Sequence, residues 1–292
     1  MYLSYHICHM IFKIFRFLRF FFIWFFIILV FSLIFLFAYL STKHPSNERD
    51  WNADQKILQT AEIFGDSVTI QNIRNISYRS KDEYDLGYYD KTYDLKELQK
   101  VYFVVEPFSG YLGAAHTFLS FQFGTSTFVS ISVEIRKEKG ESFSAFKGLL
   151  RNYELMYVIA DERDVVKLRS NFRKDKVFVY PVRLSSPEKG KELFLAMVRR
   201  ANDLAEKPEF YNTLTNTCTT NIVNHINAIT PKKVSWFDYR ILFPENSDIS
   251  AYDQGLIDTD LSFMEARKKY QINDLAEKYA DDPDFSLRIR GI

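Results

Sequence analysis

Two cysteines occur in the chain, Cys8 and Cys218, and only Cys218 lies beyond the strongly apolar N-terminal stretch. It sits in NTCTTN (216–221), which reads as a helix start. Asn216 or Thr217 caps the first turn, Ile222, Val223, Ile226 and Ile229 recur at helical spacing, and Pro231 ends the run. A thiol there lies at the positive end of the helix dipole, where negative charge on sulfur is favoured and a nucleophile can be built. The alternative is a structural cysteine, because free Cys packs as a small apolar residue.

Of the five histidines, His6, His9 and His44 lie within or just after the apolar stretch, leaving His116 and His225 to serve Cys218. His225 is two helical turns along the same helix, about 10 Å away at 1.5 Å rise per residue, too far to share a proton with the thiol. His116 is then the candidate base. It begins an alternating stretch, HTFLSFQF, which the turn at 124–127 joins to a second, FVSISVEIR. A hairpin centred on Thr125 sets His116 opposite Glu134. Opposed pairs have Cβ atoms about 5 Å apart, close enough for a carboxylate to orient an imidazole. The expected constellation is Cys218 as nucleophile, His116 as base and Glu134 as orienter. A register slip of one residue would instead turn Glu134 to solvent, paired with Arg136 or a lysine. Backbone and side chains of Asn216, Thr217 and Thr219 at the helix start, with Tyr211 and Asn212 just before it, are candidates for oxyanion stabilisation or substrate lining; plain packing is the other role open to them.

These elements must be positioned outside a membrane. No Asp or Glu occurs in the first 40 residues, and 20–40 is an apolar run whose clearly polar member is Ser32. At 1.5 Å per residue it spans about 31 Å, enough for the hydrocarbon core. Lys13, Arg16 and Arg19 precede it, so the positive-inside rule keeps 1–19 cytoplasmic and sends the rest across. The run is longer than a usual signal-peptide core and no small-residue cleavage site follows, so an uncleaved anchor is expected. Residues 41–54 read as a polar linker, and 55–292 as one exported domain large enough for a sizeable core. A lone thiol in an exported domain is more readily catalytic than structural, since structural cysteines there usually pair.

Only three of the 38 basic residues and none of the 37 acidic ones precede residue 41, so the exported part is close to neutral and offers no basic field for nucleic acid. No CxxC or HxxxH pair suggests a metal, no glycine-rich loop a phosphate, and no Gly-x-Ser-x-Gly elbow a serine hydrolase; no cofactor is expected. Strands are expected at 68–78, 98–105, 116–123, 128–136, 155–160 and 177–182, with the Tyr-rich 82–93 as loop. Helices are expected at 143–153, 161–172, 186–206 and from 216. Asp161, Glu162 and Asp164 read as solvated acids at a helix N-terminus, a cation or headgroup site being the other reading. This pattern is α+β.

NIRNISYRS (72–80), AHTFLSFQF, SVEIRKEKGESF, YELMYVIADERD, PEFYNTLTNTCTTN and the terminal DPDFSLRIR resemble the Lnb N-terminal periplasmic domain family over about 51–290. The resemblance implies a permuted papain-like (NlpC-like) fold, similar to acyltransferases of the lecithin:retinol type, with the family's Cys and His falling on Cys218 and His116. It also implies a bacterial inner-membrane protein that moves an acyl chain from a phospholipid, through a thioester, to an amine such as the N-terminus of a diacylated lipoprotein. The anchor departs from the namesake, whose membrane helices follow the domain. With water as acceptor the same parts make a papain-like hydrolase or amidase, and with a degenerate site a non-catalytic envelope-binding factor. The partners expected are therefore a phospholipid acyl donor, a lipoprotein and the lipid bilayer.

Overall fold

A computed structural model describes residues 2–110, 113–231 and 233–292. One compact unit ends at His44 and a second runs Pro45–Ile292. The first is helix α1 (Tyr2–Ser41), which begins well before the apolar run expected at 20–40. Its segment Lys13–Ser41, 29 residues, is long and apolar enough to cross a membrane.

The linker expected at 41–54 is shorter, because residues from 45 onward are packed into the second unit. Asn47 Nδ2 donates to the carbonyls of Leu204 (3.0 Å) and Ala205 (2.8 Å). Arg49 pairs with Glu138 (3.0 Å) and Glu154 (2.8 Å). Trp51 is buried with the Arg136 guanidinium 4.3 Å above its ring. A Trp brings more apolar area than a solvated tether would leave exposed, so the domain boundary falls at 45 and not at 55.

The second unit is built on a mixed sheet. Its strands are β1 (Thr60–Phe64), β2 (Ser67–Arg74), β5 (Tyr88–Asp94), β6 (Leu98–Pro107), β7 (Ala115–Phe123), β8 (Thr127–Arg136), β9 (Glu154–Ala160) and β10 (Phe178–Pro181), while β3 (Ser77–Tyr78) and β4 (Tyr84–Asp85) form a separate pair. The order is β1-β2-β9-β8-β7-β6-β10, with β5 also on β2. All pairs are antiparallel except β2 with β9. The loop expected at 82–93 is thus largely strand: its Tyr and Thr residues suit a pleated surface. The pairing of β5 with β2 slips between Ile70 and Ile73, where Asn72 turns to φ 60° and its N–H donates to Asp90 Oδ1 at 2.8 Å.

Each face of the sheet carries its own core. Leu119, Phe121 and Phe123 of β7 join Val129, Ile131 and Val133 of β8 under helices α4 (Pro187–Glu206) and α5 (Cys218–Ile229). On the other face Phe118, Met156 and Val158 pack with Val165 and Val166 of α3 (Glu162–Lys167) and with Phe285 and Ile289 near the C-terminus. A single-turn helix, α2 (Ala145–Leu149), stands where a longer one is expected at 143–153. Short helices α6 (Tyr239–Leu242), α7 (Ser247–Asp253), α8 (Phe263–Tyr270), α9 (Asn273–Lys278) and α10 (Phe285–Arg288) complete the covering. In α4 the stripe Leu193, Phe194, Met197, Val198, Ala201 and Leu204 is buried as its spacing predicts. Phe194 meets the rings of Phe121 and Phe123 edge-on at 5.1 Å.

The helix expected over 161–172 is α3 followed by a π-helical turn, Leu168–Phe172, and its acids are not solvated. Asp161 caps α3 by accepting from Arg163 N–H at 2.9 Å. Asp164 is fully buried and takes two bonds from Arg74, at 2.8 and 2.9 Å. Glu162 is fully buried and held by Arg290 (2.8 and 2.5 Å) and by the Ser120 hydroxyl. Buried carboxylates must be paired, and these are. Asp164→Ala is expected to cost about 3–5 kcal/mol, because Arg74 would stay buried without its counter-charge. Removing Glu83 from its exposed pair with Arg79 is expected to cost under about 1 kcal/mol. Denaturant titration of the detergent-solubilised variants checks both; equal losses would refute the distinction.

Candidate active site

Helix α5 starts where the sequence expects. Thr217 is its N-cap, accepting from Thr220 N–H at 3.2 Å, while the Thr220 hydroxyl accepts from Thr217 N–H at 2.7 Å. The reciprocal cap accounts for two end groups, and the N–H groups of Cys218 and Thr219 precede any intrahelical acceptor. Asn221 Nδ2 donates to Asn216 Oδ1 and to the Thr217 carbonyl, both at 2.8 Å, so the turn before the helix is fastened to its first turn. Asn212 closes the approach: its Oδ1 accepts from Leu214 N–H (2.9 Å) and Thr215 N–H (3.1 Å).

Cys218 is the first residue of α5, a free thiol 9 % exposed. Its Sγ lies 3.7 Å from Thr219 Oγ1. Burial, and then its electrostatic interaction with Cys218, push the Tyr211 phenol pKa up, so Tyr211 is a neutral hydroxyl within electrostatic reach of that residue. Thr219 also lines an apolar cavity of about 60 Å³ with Phe103, Leu119, Ile222, Val223 and Ile241. Of the expected lining residues, Thr219 and Tyr211 therefore adjoin the thiol, whereas Asn212, Asn216 and Thr217 build the turn that presents it.

The hairpin forms in the expected register, with Phe118 opposite Ser132 and Phe123 opposite Thr127. His116 and Glu134 come together near its open end, but through an intermediary. His116 Nε2 lies 2.7 Å from Ser132 Oγ, and Ser132 donates its hydroxyl to Glu134 Oε1 at 2.9 Å; the direct His116–Glu134 distance is 3.8 Å. Since the hydroxyl has one proton and gives it to the carboxylate, Nε2 must donate to Ser132, leaving Nδ1 as the bare nitrogen. Glu134 is shared with Arg169, whose Nη2 donates at 2.9 Å. Arg169 Nε also pairs with Glu106 at 2.7 Å, and its guanidinium lies 5.0 Å from the Phe118 ring centroid.

The contact expected between His116 and the Cys218 thiol is not made. His116 shares its strand face with Phe118, on which it stacks at 5.7 Å, and that face looks toward α3. The next residue, Thr117, points the other way and meets Thr219 at 3.1 Å. Successive strand side chains alternate, so the backbone of 116–117 adjoins the start of α5 while the imidazole turns away from it. His225 lies elsewhere too, its Nε2 2.9 Å from the Tyr157 hydroxyl, which donates to Asn221 Oδ1 at 3.1 Å.

The electrostatics agree with this separation. Burial pulls the His116 pKa down to about 3, and Arg169 and Arg173 act in the same direction against Glu134. Burial alone would raise Glu134, but Arg169 first, then His116 and Arg74, hold it well below the usual carboxylate range. The Glu134 charge is thus committed mainly to Arg169, and His116 is a neutral buried imidazole. Ser132 and Arg169 were not found from sequence. Ser132 was legible in principle, two residues before Glu134 on the same strand face; Arg169 carries no local signal.

A base held neutral in the fold takes up protons on unfolding, so the contribution of His116 is present above its unfolded pKa near 6.5 and is lost as pH falls toward 3. The shift of Glu134 acts only below its own unfolded value, and buried Glu106, whose pKa is raised by burial, acts in the opposite sense. The informative quantity is therefore a difference between variants. His116→Asn is expected to flatten the fall in stability between pH 6.5 and 4.5 by up to about 1.4 kcal/mol per pH unit. Parallel curves for the two proteins would refute a neutral buried His116.

No curated protein and no solved structure matches the chain. The profile of one family does, over residues 85–245, a span that runs from β4 past α6 and contains His116, Glu134 and Cys218. Strands β5 to β10, both candidate groups and the start of α5 thus lie within the match, which covers more than half of the chain, and the chain belongs to the Lnb N-terminal periplasmic domain family.

Proposed function

We propose that this protein is a membrane-anchored thiol acyltransferase of permuted papain-like type, with Cys218 as nucleophile. The observation that carries the reading is a free thiol on the first residue of a capped helix, next to Thr219, which lines an apolar cavity. An N-terminal helix able to span a membrane, followed by a domain of a periplasmic family, fits a single-pass envelope protein. A phospholipid is the acyl donor available to such a site.

In the first half-reaction Sγ attacks the ester carbonyl. The N–H groups of Cys218 and Thr219 at the helix start are the donors for the developing oxyanion, with the neutral Tyr211 hydroxyl as a further candidate. The C–O bond breaks, the thiol proton ends on the leaving lipid alcohol, and a thioester remains. A neutral amine, such as the N-terminus of a lipoprotein, then attacks the thioester; an amide forms, and a proton of the amine returns to sulfur. Ile222, Val223 and Ile226 along α5 offer the acyl chain an apolar wall leading from Thr219. His116 acts here as a positioning residue: with Ser132 and Glu134 it fixes the strand end on which α5 starts.

A second reading, a non-catalytic envelope-binding domain, is favoured by one observation: among the described residues, neither His116 nor His225 presents its ring to Sγ. Incubation of the full chain with phospholipid followed by mass spectrometry is expected to trap an acyl thioester on Cys218. Cys218→Ala is expected to abolish turnover, and His116→Ala to slow it about tenfold, less than the 10²–10⁴-fold loss of a direct general base. No adduct, with full in vivo function of Cys218→Ala, would replace the enzyme reading by the binding one.

Topology is tested separately. Lys13, Arg16 and Arg19 precede the span, so a reporter active only in the periplasm is expected to work when fused after Ile292. Activity of a cytoplasm-only reporter at that position would overturn the envelope placement.

A further inference from the structure

Between α5 and α7 the chain displays its apolar side chains outward. Trp236, Phe237, Tyr239, Leu242 and Phe243 are all exposed, Phe237 to 98 %. Their polar neighbours turn inward and satisfy one another. Asp238 caps α6 by accepting from Arg240 N–H at 3.0 Å, takes the Arg240 guanidinium at 2.8 Å through Nε, and accepts the Ser250 hydroxyl at 2.7 Å. Arg240 reaches Asp253 at 2.6 Å. At the far end of the segment Glu245 accepts from Gly113 N–H at 2.6 Å. Ile241, on the buried side of the same turn, lines the same cavity as Thr219. The aromatic display is therefore pinned from beneath, and its charges are occupied.

We propose that residues 236–243 are an interfacial membrane-docking surface, which seats the domain on the surface of a lipid bilayer with the apolar cavity beside the acyl region. Three features select a bilayer. The chain carries its own span, Lys13–Ser41, and so is tethered at a membrane. Trp, Tyr and Phe side chains favour the headgroup–acyl boundary, where one end of the ring is apolar and the other wet. The ionic groups of the segment pair internally, leaving no charge outward for a polar partner to match, while an exposed apolar patch of this kind marks an interaction site. The surface does not depend on the chemistry at Cys218 and can be tested without turnover.

The chain contains three tryptophans, Trp24 in the span, Trp51 buried and Trp236 in the proposed surface. Full-length Trp24→Phe protein, reconstituted in phosphatidylethanolamine–phosphatidylglycerol vesicles, thus reports chiefly on Trp236 when its fluorescence is challenged from the lipid side. Phosphatidylcholine brominated near the carbonyl end of its acyl chains is expected to quench the emission roughly twofold, as for an indole at the interface. The loss should vanish in Trp24→Phe/Trp236→Phe and shrink in Trp24→Phe/Phe237→Asp. Emission that ignores brominated lipid and is quenched by aqueous iodide would overturn the proposal. So would iodide shielding that appears only as protein density in the vesicle rises, which would assign the surface to a second copy.

Discussion

One buried cation holds the middle of the sheet together. Arg169 reaches over β7 to pair with Glu106 on β6 and Glu134 on β8, its guanidinium against the Phe118 ring between them. Two carboxylates on a desolvated sheet face would repel and protonate without it; with it, three central strands are cross-tied at the end where His116 stands. The π-helical turn that carries Arg169 is in keeping with this, since such turns widen a helix locally and re-aim a side chain. The polar groups at that end of the face are arranged around this charge, including the hydroxyl of Ser132 and the neutral state of His116.

The opposite face has no such burden and is almost wholly apolar, so it can accept the apolar stripe of α5 and keep a thiol and a cavity beside it. Thr117 and Thr219 are the point where the start of α5 is fixed to β7. The two candidate groups therefore belong to different cores, joined by a single peptide unit between His116 and Thr117. A substitution in the Arg169 network can reach Cys218 only by shifting that strand end, not by altering a proton path.

Much of this was legible in sequence where the signal was local. The register of the β7–β8 hairpin followed from alternation and the turn at 124–127; α5, its cap and its end at Pro231 followed from spacing; the stripe of α4 was read residue by residue. What failed was the side on which things fall. Alternation separates a strand into two sets, but β7 is buried on both faces, so the polar set His116, Ser120 and Gln122 does not mark solvent, and nothing local says under which face α5 packs. The acids at 161–164 read as solvated because their partners are remote: Arg74 is 90 residues from Asp164, and Arg290 is 128 from Glu162. The Tyr-rich stretch reads as a loop because its charges hide the pleated spacing that pairs β5 with β2.

The pairing of Glu162 with Arg290 also sets a time order. Glu162 precedes its guanidinium by 128 residues, and Tyr102 and Phe128 are covered by the same side chain. The second core cannot seal until Arg290 is in place. Sealing of that core is therefore a long-range event of high sequence separation, the kind of contact whose loop-closure cost makes it slow to form.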